Sequence, residues 1–209
     1  KYFYPRMKET AASLGVDFRS IEYNELQLYL NENGPTLHYQ GKPISLPDFA
    51  IVYMPALIKI PAALNFIRYL KDNNVKIIND FDSILVCNNK WLSLITLARH
   101  NIPIPKSTLI QVGQPQLAET LESFSFPAVI KLNSGGQGNA VALINSAADL
   151  IDYIGILQQQ SPEAELILQE YIKASHGVDI RVLVIGGEAK AAMLRKNNHG
   201  GFKSNLAKG

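Results

Sequence analysis

Phe126-Pro-Ala-Val-Ile-Lys-Leu-Asn-Ser-Gly-Gly-Gln-Gly-Asn-Ala-Val141 decides how this chain is read. A short apolar strand runs into a glycine-rich turn, and a second apolar strand, Val141 to Ile144, follows. Alternation sets Val129 and Lys131 on one face of the first strand and Ile130 and Leu132 on the other. A lysine inside an apolar strand is costly to desolvate unless it meets an anion. Directly after it, Gly135, Gly136 and Gly138 let backbone N–H groups approach a ligand closely. The pattern G-x-x-x-x-G-K-[ST] is absent, because the lysine precedes the glycines. Gly136-Gln137-Gly138 leads into a strand, whereas a dinucleotide fingerprint opens a helix. A strand-flap-strand cover over phosphates is nearer to the way a kinase holds ATP. Two readings stay open on this stretch: a phosphate grip, and an ordinary glycine-rich hairpin with a surface-reaching lysine.

Outward from this stretch, composition sets limits. A chain of 209 residues, 47% apolar and 18% charged, suits globular structure in two domains. The net charge of +2 gives no case for nucleic-acid or membrane-surface binding. Cys87 stands alone, which excludes an intrachain disulfide and points to a reducing compartment, the cytoplasm. No uninterrupted apolar run reaches about 18 residues, so no membrane span is expected. The chain opens at Lys1 without an initiator or signal pattern, and its true start is expected to precede it.

Residues 1–88 read as a first domain. Arg6 to Leu14 predicts a helix with Met7, Ala11 and Leu14 on one face, stopped by Gly15. Val16 to Ile21 predicts a strand, Leu37 to Ile44 a hairpin turning near Gln40-Gly41, and Ala50 to Met54 an apolar strand. Pro61 opens a helix through about Asp72 that buries Leu64, Ile67 and Leu70, and Val75 to Ile78 is a further strand. Helices alternating with short strands indicate an α/β layer on a mostly parallel sheet. From Asn88-Asn89-Lys90 a helix runs through His100, with Trp91, Leu94, Ile95 and Ala98 as its apolar stripe. Ser107 to Gln111 is strand-like and Gln116 to Phe124 helical. Ser146-Ala-Ala-Asp149 matches a capping box opening a helix that buries Leu150, Ile151, Ile154 and Leu157. Leu166 to Ile172 reads as a strand, and Ile180–Ile185 with Ala189–Arg195 as a hairpin through Gly186-Gly187-Glu188.

Val129-Ile130-Lys131-Leu132 with Gly135-Gly136-Gln137-Gly138, then Gln169-Glu170-Tyr171-Ile172-Lys173, resembles the ATP-grasp fold. The run Gly177 to Gly186 and Phe202-Lys203-Ser204-Asn205-Leu206 narrow the resemblance to the RimK-like ligases. The resemblance implies an ATP-grasp fold, α+β in its second part, preceded by a Rossmann-like α/β domain. It divides residues 89–209 into a central lobe, 89–172, and the start of a C-terminal lobe, 173–209. It also implies ATP-dependent conversion of a carboxylate to an acyl phosphate, displaced by an amine to give an amide, often one that joins glutamate to a peptide or amino acid. By position, Lys90 and Lys131 match lysines that reach the phosphates. Gln169, Glu170, Tyr171 and Ile172 match the segment that holds adenine. Asp179 matches a nucleotide-contacting acid on the ribose side, and Lys203, Ser204 and Asn205 a polar segment near the phosphates. Arg181 and Arg195, on strands facing that cleft, and Lys203 are the candidates for stabilising the reacting phosphoryl and carboxylate oxygens, with a structural ion pair as the alternative for each arginine.

Ala140 stands where the family flap usually has glycine, and Lys203 replaces an arginine, keeping charge but losing the bidentate fork. The acid and the Glu-x-Asn pair that hold Mg2+ in the family are not in this chain, and are expected beyond Gly209; Glu22-Tyr23-Asn24 is a chance match. The implied partners are ATP, a carboxylate and an amine, with homo-oligomerisation left open. The alternative is a degenerate nucleotide-binding module with a regulatory or scaffold role. His38, His100, His176 and His199 lack ligand spacing, Trp91 and Tyr69 read as helix-face packing, and Cys87 as a small buried hydrophobe.

Overall fold

In the computed structural model, which describes residues 3–52, 61–113, 121–134, 141–198 and 200–204, the chain divides into two units, Lys1–Ser83 and Ile84–Gly209. The glycine flap (135–140), His199 and Asn205 onward lie outside the described residues.

In the first unit, helix α1 (Phe3–Ser13) stops where Gly15 takes φ +67°, a left-handed conformation that other residues adopt at a cost. Of its expected apolar face, Met7 and Ala11 are half-buried while the rest of α1 is exposed, and Leu14 just beyond it is 72% exposed. Val16–Ile21, expected as a strand, belongs to none, because alternation makes a strand only where a ladder partner lies alongside. The ladder begins later, with β1 (Leu26–Asn31), β2 (Gly34–Tyr39) and β3 (Lys42–Pro43) forming an antiparallel sheet. The hairpin turn falls at Gln40-Gly41, as its residues suggested. Strand β4 (Phe49–Ile51), helix α2 (Pro61–Asp72) and strand β5 (Lys76–Ile78) make a βαβ unit with parallel strands. Met54, read as the end of this strand, lies outside the described residues. The buried side of α2 is centred on Ala63 and Ile67, one turn apart, leaving Leu64 and Leu70 half-buried at its margins.

Helix α3 (Phe81–Asn88), which begins in the first unit and ends in the second, was not foreseen, and its turn carries Cys87 outward to an exposed position rather than into the core. Asn89 then caps helix α4 (Lys90–Arg99), its side-chain oxygen accepting the Leu92 N–H at 2.9 Å. Four antiparallel-paired strands follow: β6 (Ser107–Gln111), β7 (Ala128–Leu132), β8 (Val141–Ile144) and β9 (Glu165–Glu170), in the order β6-β9-β7-β8. Of the helix expected over 116–124, residues 121–124 are described; 121–123 are helical and Phe124 lies just past the helix. Helix α5 (Ala147–Gln160) is capped by Ser146, whose Oγ accepts the Asp149 N–H at 3.1 Å. The Asp149 carboxylate accepts the N–H of Asn145 rather than that of the cap residue.

The core of this unit joins Ile110, Phe124, Ala128, Ile130, Ile144, Leu166 and Leu168 to Leu150 and Ile154 of α5. Each such large side chain contributes on the order of 1.5–3 kcal/mol by leaving water. Ile151, expected in that face, is exposed instead, a helical step round from Leu150 and Ile154. Glu170 ends β9, so Tyr171 and Ile172 lie past the strand they were assigned to. Strands β10 (Val178–Ile185) and β11 (Glu188–Lys196) form a separate two-stranded ribbon turning on Gly186-Gly187.

Candidate functional site

The end of β7 is pinned to the start of α4 through Asn133, which is 2% exposed. Its side-chain oxygen accepts the Trp91 N–H at 2.9 Å, and its amide donates to Glu165 Oε2 at 2.7 Å. Its backbone carbonyl accepts the Lys90 N–H at 3.2 Å, while its own N–H donates to the Glu165 carbonyl at 2.9 Å. A buried amide satisfied on this many sides fixes the geometry around it, since each unmade bond would carry a desolvation cost. The Lys90 ammonium is thereby carried to the flap base, donating to the carbonyls of Leu132 at 2.9 Å and Asn133 at 3.2 Å.

Lys131 lies on the strand face opposite Ala128 and Ile130, which are fully buried. It is half-buried and donates to Gln169 Oε1, a neutral acceptor, at 2.8 Å. Among the described residues no carboxylate pairs with it. Burial pushes its pKa below the ordinary lysine range, and the neighbouring charge of Lys90 pushes it further in the same direction. Two cations that repel each other at the end of β7 make a site suited to a polyanion. Lys90, Lys131 and Gln169, all singled out from the sequence, therefore come together here. Asn133 and Ser107, which receives a hydrogen bond from Gln169 Nε2 at 2.8 Å, were missed. The one sequence signal for Asn133 was its polarity directly between an apolar strand and the glycines.

At the end of β9, Glu170 is tied to β6: its N–H donates to the Lys106 carbonyl at 2.8 Å, and its Oε2 accepts the Lys106 N–H at 3.3 Å. The Ile172 carbonyl accepts from both the backbone and the hydroxyl of Ser175 at 3.0 Å. The Tyr171 hydroxyl bonds His176 Nδ1, and His176 Nε2 bonds the Gly200 carbonyl at 3.1 Å. His176, set aside in the sequence for want of ligand spacing, thus ties the segment after β9 to the loop after β11. Gly177 sits at φ +64°, and a Cβ there would meet the Gly201 carbonyl oxygen at 2.5 Å, so glycine is required for this approach. Asn197 Nδ2 donates to the Lys203 carbonyl at 2.5 Å in the same loop.

Asp179 and Arg195 are direct partners across the ribbon. Arg195 grips the carboxylate through Nε at 2.6 Å and Nη2 at 2.5 Å, and the Ser204 hydroxyl donates to the same carboxylate. The Arg195 fork holds the Asp179 pKa below the usual carboxylate range; Ser204 and the more distant charge of Arg181 add to this, against a smaller opposing effect of burial. Arg195 thus forms the ion pair that stood as its alternative role, whereas Arg181 is exposed on the same ribbon. Lys203 lies with its Nζ 5.5 Å from the Phe202 ring centre. Asn205 falls outside the described residues. Among the described residues no three His, Cys, Asp or Glu side chains are grouped to hold a metal ion, and no helix is long and apolar enough to cross a membrane.

A four-stranded antiparallel sheet with two lysines at the end of β7, followed by a two-stranded ribbon, is the arrangement of an ATP-grasp protein, and the solved structures with this architecture agree. An ATP-grasp RimK domain protein from Sphaerobacter thermophilus superposes with a TM-score of 0.69 at 16% identity, over 99% of this chain and 74% of that one. A D-cycloserine synthetase gives 0.68 at 15% identity, over 99% and 68%. Residues 87–209 match the RimK-like ATP-grasp domain, and the chain belongs to that family. Its curated relatives include beta-citrylglutamate synthase B of Mus musculus, 31% identical over 93% of this chain and 50% of that protein. A probable alpha-L-glutamate ligase of Mannheimia succiniciproducens is 30% identical over 100% of this chain and 71% of its own length. Human N-acetylaspartylglutamate synthase A is 27% identical over 97% and 52%. The chain spans about half the length of the first of these relatives.

Proposed function

We propose that this chain is the nucleotide-holding part of an ATP-dependent carboxylate–amine ligase. The observation that carries the reading is the half-buried Lys131, paired among the described residues only to a neutral amide and repelled by a second cation, Lys90, at the end of β7. Such a pair is held at an energetic cost that an incoming triphosphate offsets. In this reading adenine lies along Gln169, Glu170, Tyr171 and Ile172, with Asp179 toward the ribose and Lys203, Ser204 and Asn205 toward the phosphates. The domains are 1–88, ahead of the ATP-grasp part, and 89–209, the central lobe with the beginning of the C-terminal one. The names of the three curated relatives all contain glutamate, which supports glutamate as one substrate. The single cysteine supports work in the reducing cytoplasm.

The chemistry asks for charge placement, not a nucleophilic side chain. A carboxylate oxygen attacks the γ-phosphorus and ADP leaves, giving an acyl phosphate. The amine nitrogen then attacks the acyl carbon, the oxyanion collapses with loss of phosphate, and the nitrogen sheds a proton to leave the amide. Lys90 and Lys131 would neutralise the phosphates, and Arg181, Arg195 and Lys203 the phosphoryl and oxyanion charge that develops. Arg195 would act from its clasp with Asp179, which orients the guanidinium. Magnesium would neutralise phosphate charge; the described residues offer no cluster to hold it, and no step here depends on it. Lys131→Met in the full-length protein should weaken binding of adenylyl imidodiphosphate by roughly 10–100-fold, the worth of a charge-assisted contact. Unchanged affinity in that variant, measured by calorimetry, removes the reading.

A further inference from the structure

The bonds that orient Lys131 have a direction that chemistry alone dictates. An ammonium can only donate, and Lys131 Nζ donates to Gln169 Oε1 at 2.8 Å. The Gln169 amide then presents its NH2, which donates to Ser107 Oγ at 2.8 Å. Ser107 spends its only proton on the Pro105 carbonyl at 2.9 Å, so a lone pair faces Gln169. Ser107 and Gln169 stand opposite each other in the β6–β9 ladder, and Gln169 stands opposite Val129, two residues before Lys131, in the β7–β9 ladder. Ser107 and Gln169 therefore lie on one sheet face with Lys131, which is diagonal to Gln169. Turning the Gln169 amide over would set its NH2 against the Lys131 ammonium and its oxygen on a serine with no proton left to give.

We propose that Ser107 and Gln169 are positioning residues that aim the Lys131 ammonium at its anion while leaving its charge unspent. Gln169 belongs by position to the adenine segment, and its side-chain amide then acts through Lys131. The inference rests on the ligase reading for the identity of the anion, though the relay itself does not. A neutral amide fits this role because a carboxylate at position 169 would orient the ammonium equally well but neutralise it before phosphate arrived. The only other charged group that bears on Lys131 among the described residues is Lys90, which opposes its protonation.

The test uses the full-length protein with Ser107→Ala, Ser107→Thr and Gln169→Glu. One readout is calorimetric affinity for adenylyl imidodiphosphate; the other is the Lys131 titration, followed by NMR on 13C-labelled lysine. Ser107→Ala and Gln169→Glu should each weaken the nucleotide roughly tenfold, the range for a charge-assisted contact, and Ser107→Thr, which restores the hydroxyl, should bind like the parent. Gln169→Glu should move the Lys131 titration to higher pH, a shift that a merely structural role would not produce. Folded variants that bind like the parent, with the Lys131 titration unmoved, overturn the proposal. If Ser107→Ala fails to fold, Gln169→Glu decides alone. If the parent itself binds no nucleotide, the ligase reading falls, and the lysine titration still decides the relay: a shift in Gln169→Glu upholds it and no shift overturns it.

Discussion

The four-stranded sheet β6-β9-β7-β8 and the ribbon β10–β11 are written in similar letters and live in different surroundings. In the sheet, Ile130, Leu166, Ile167 and Leu168 are wholly withdrawn from water. In the ribbon, Ile180 is 69% and Leu194 67% exposed, and Val182, Val184 and Ile185 are exposed with them. Both segments have paired ladders; the sheet alone has α5 laid across one face. An apolar strand therefore stabilises the fold in proportion to what covers it, not to its hydrophobicity. The ribbon is held instead by its own ladder and, at its open end, by the clasp of Arg195 and Ser204 on Asp179.

The largest expected effect tests that contrast directly. Leu166→Ala should lower the stability of the second unit by about 2–5 kcal/mol, because the closed core cannot collapse around the cavity. Leu194→Ala in the ribbon should stay within about 0.5 kcal/mol. Urea unfolding of this 209-residue chain compares them, and equal losses would sink the distinction. Next comes Asn133→Ala, which leaves the Trp91 N–H without its acceptor and removes the bond to Glu165, and should cost about 1–3 kcal/mol. It should also weaken the nucleotide, since Asn133 places the helix start that carries Lys90; a destabilised variant with full nucleotide affinity would separate the two roles.

The smallest effect lies in the ribbon and depends on pH. The folded pKa of Asp179 is depressed, so the stabilisation from its clasp is fully present above the unfolded carboxyl value of about 3.9 and fades as pH falls through the lower folded value. Asp179→Asn should be slightly less stable than the parent at neutral pH and lose less stability on acidification below that value. The difference is small because the aspartate side chain is 36% exposed and the pair is partly screened. Urea midpoints taken between neutral pH and acid check this; parallel curves for the two proteins would show that the clasp does not titrate with folding.

Lys131 was legible because a charge in an apolar strand contradicts its neighbours; the asparagines before an apolar stripe placed Lys90 at a helix start, and only the resemblance to the family gave it a role at the phosphates. Asn133 and Ser107 were not, since their meaning lies in partners 42 and 62 positions away. The same gap explains the misread pieces. The segment Val16–Ile21 alternates as a strand should but pairs with no strand among the described residues, and Ile151 and Cys87 are apolar enough for a core yet sit on the wrong side of their helices.

What the amino-acid order by itself determined is what short-range physics can decide: the caps at Asn89 and Ser146, the turns at Gln40-Gly41 and Gly186-Gly187, and the strand on either side of the glycine flap. The tertiary structure alone decided that β9 inserts between β6 and β7, and with that insertion came the meeting of Ser107, Gln169 and Lys131. Caps and turns are settled among residues a few positions apart. Ladder order is settled by which faces can be buried together, and that choice is made only when the whole sheet closes over its core.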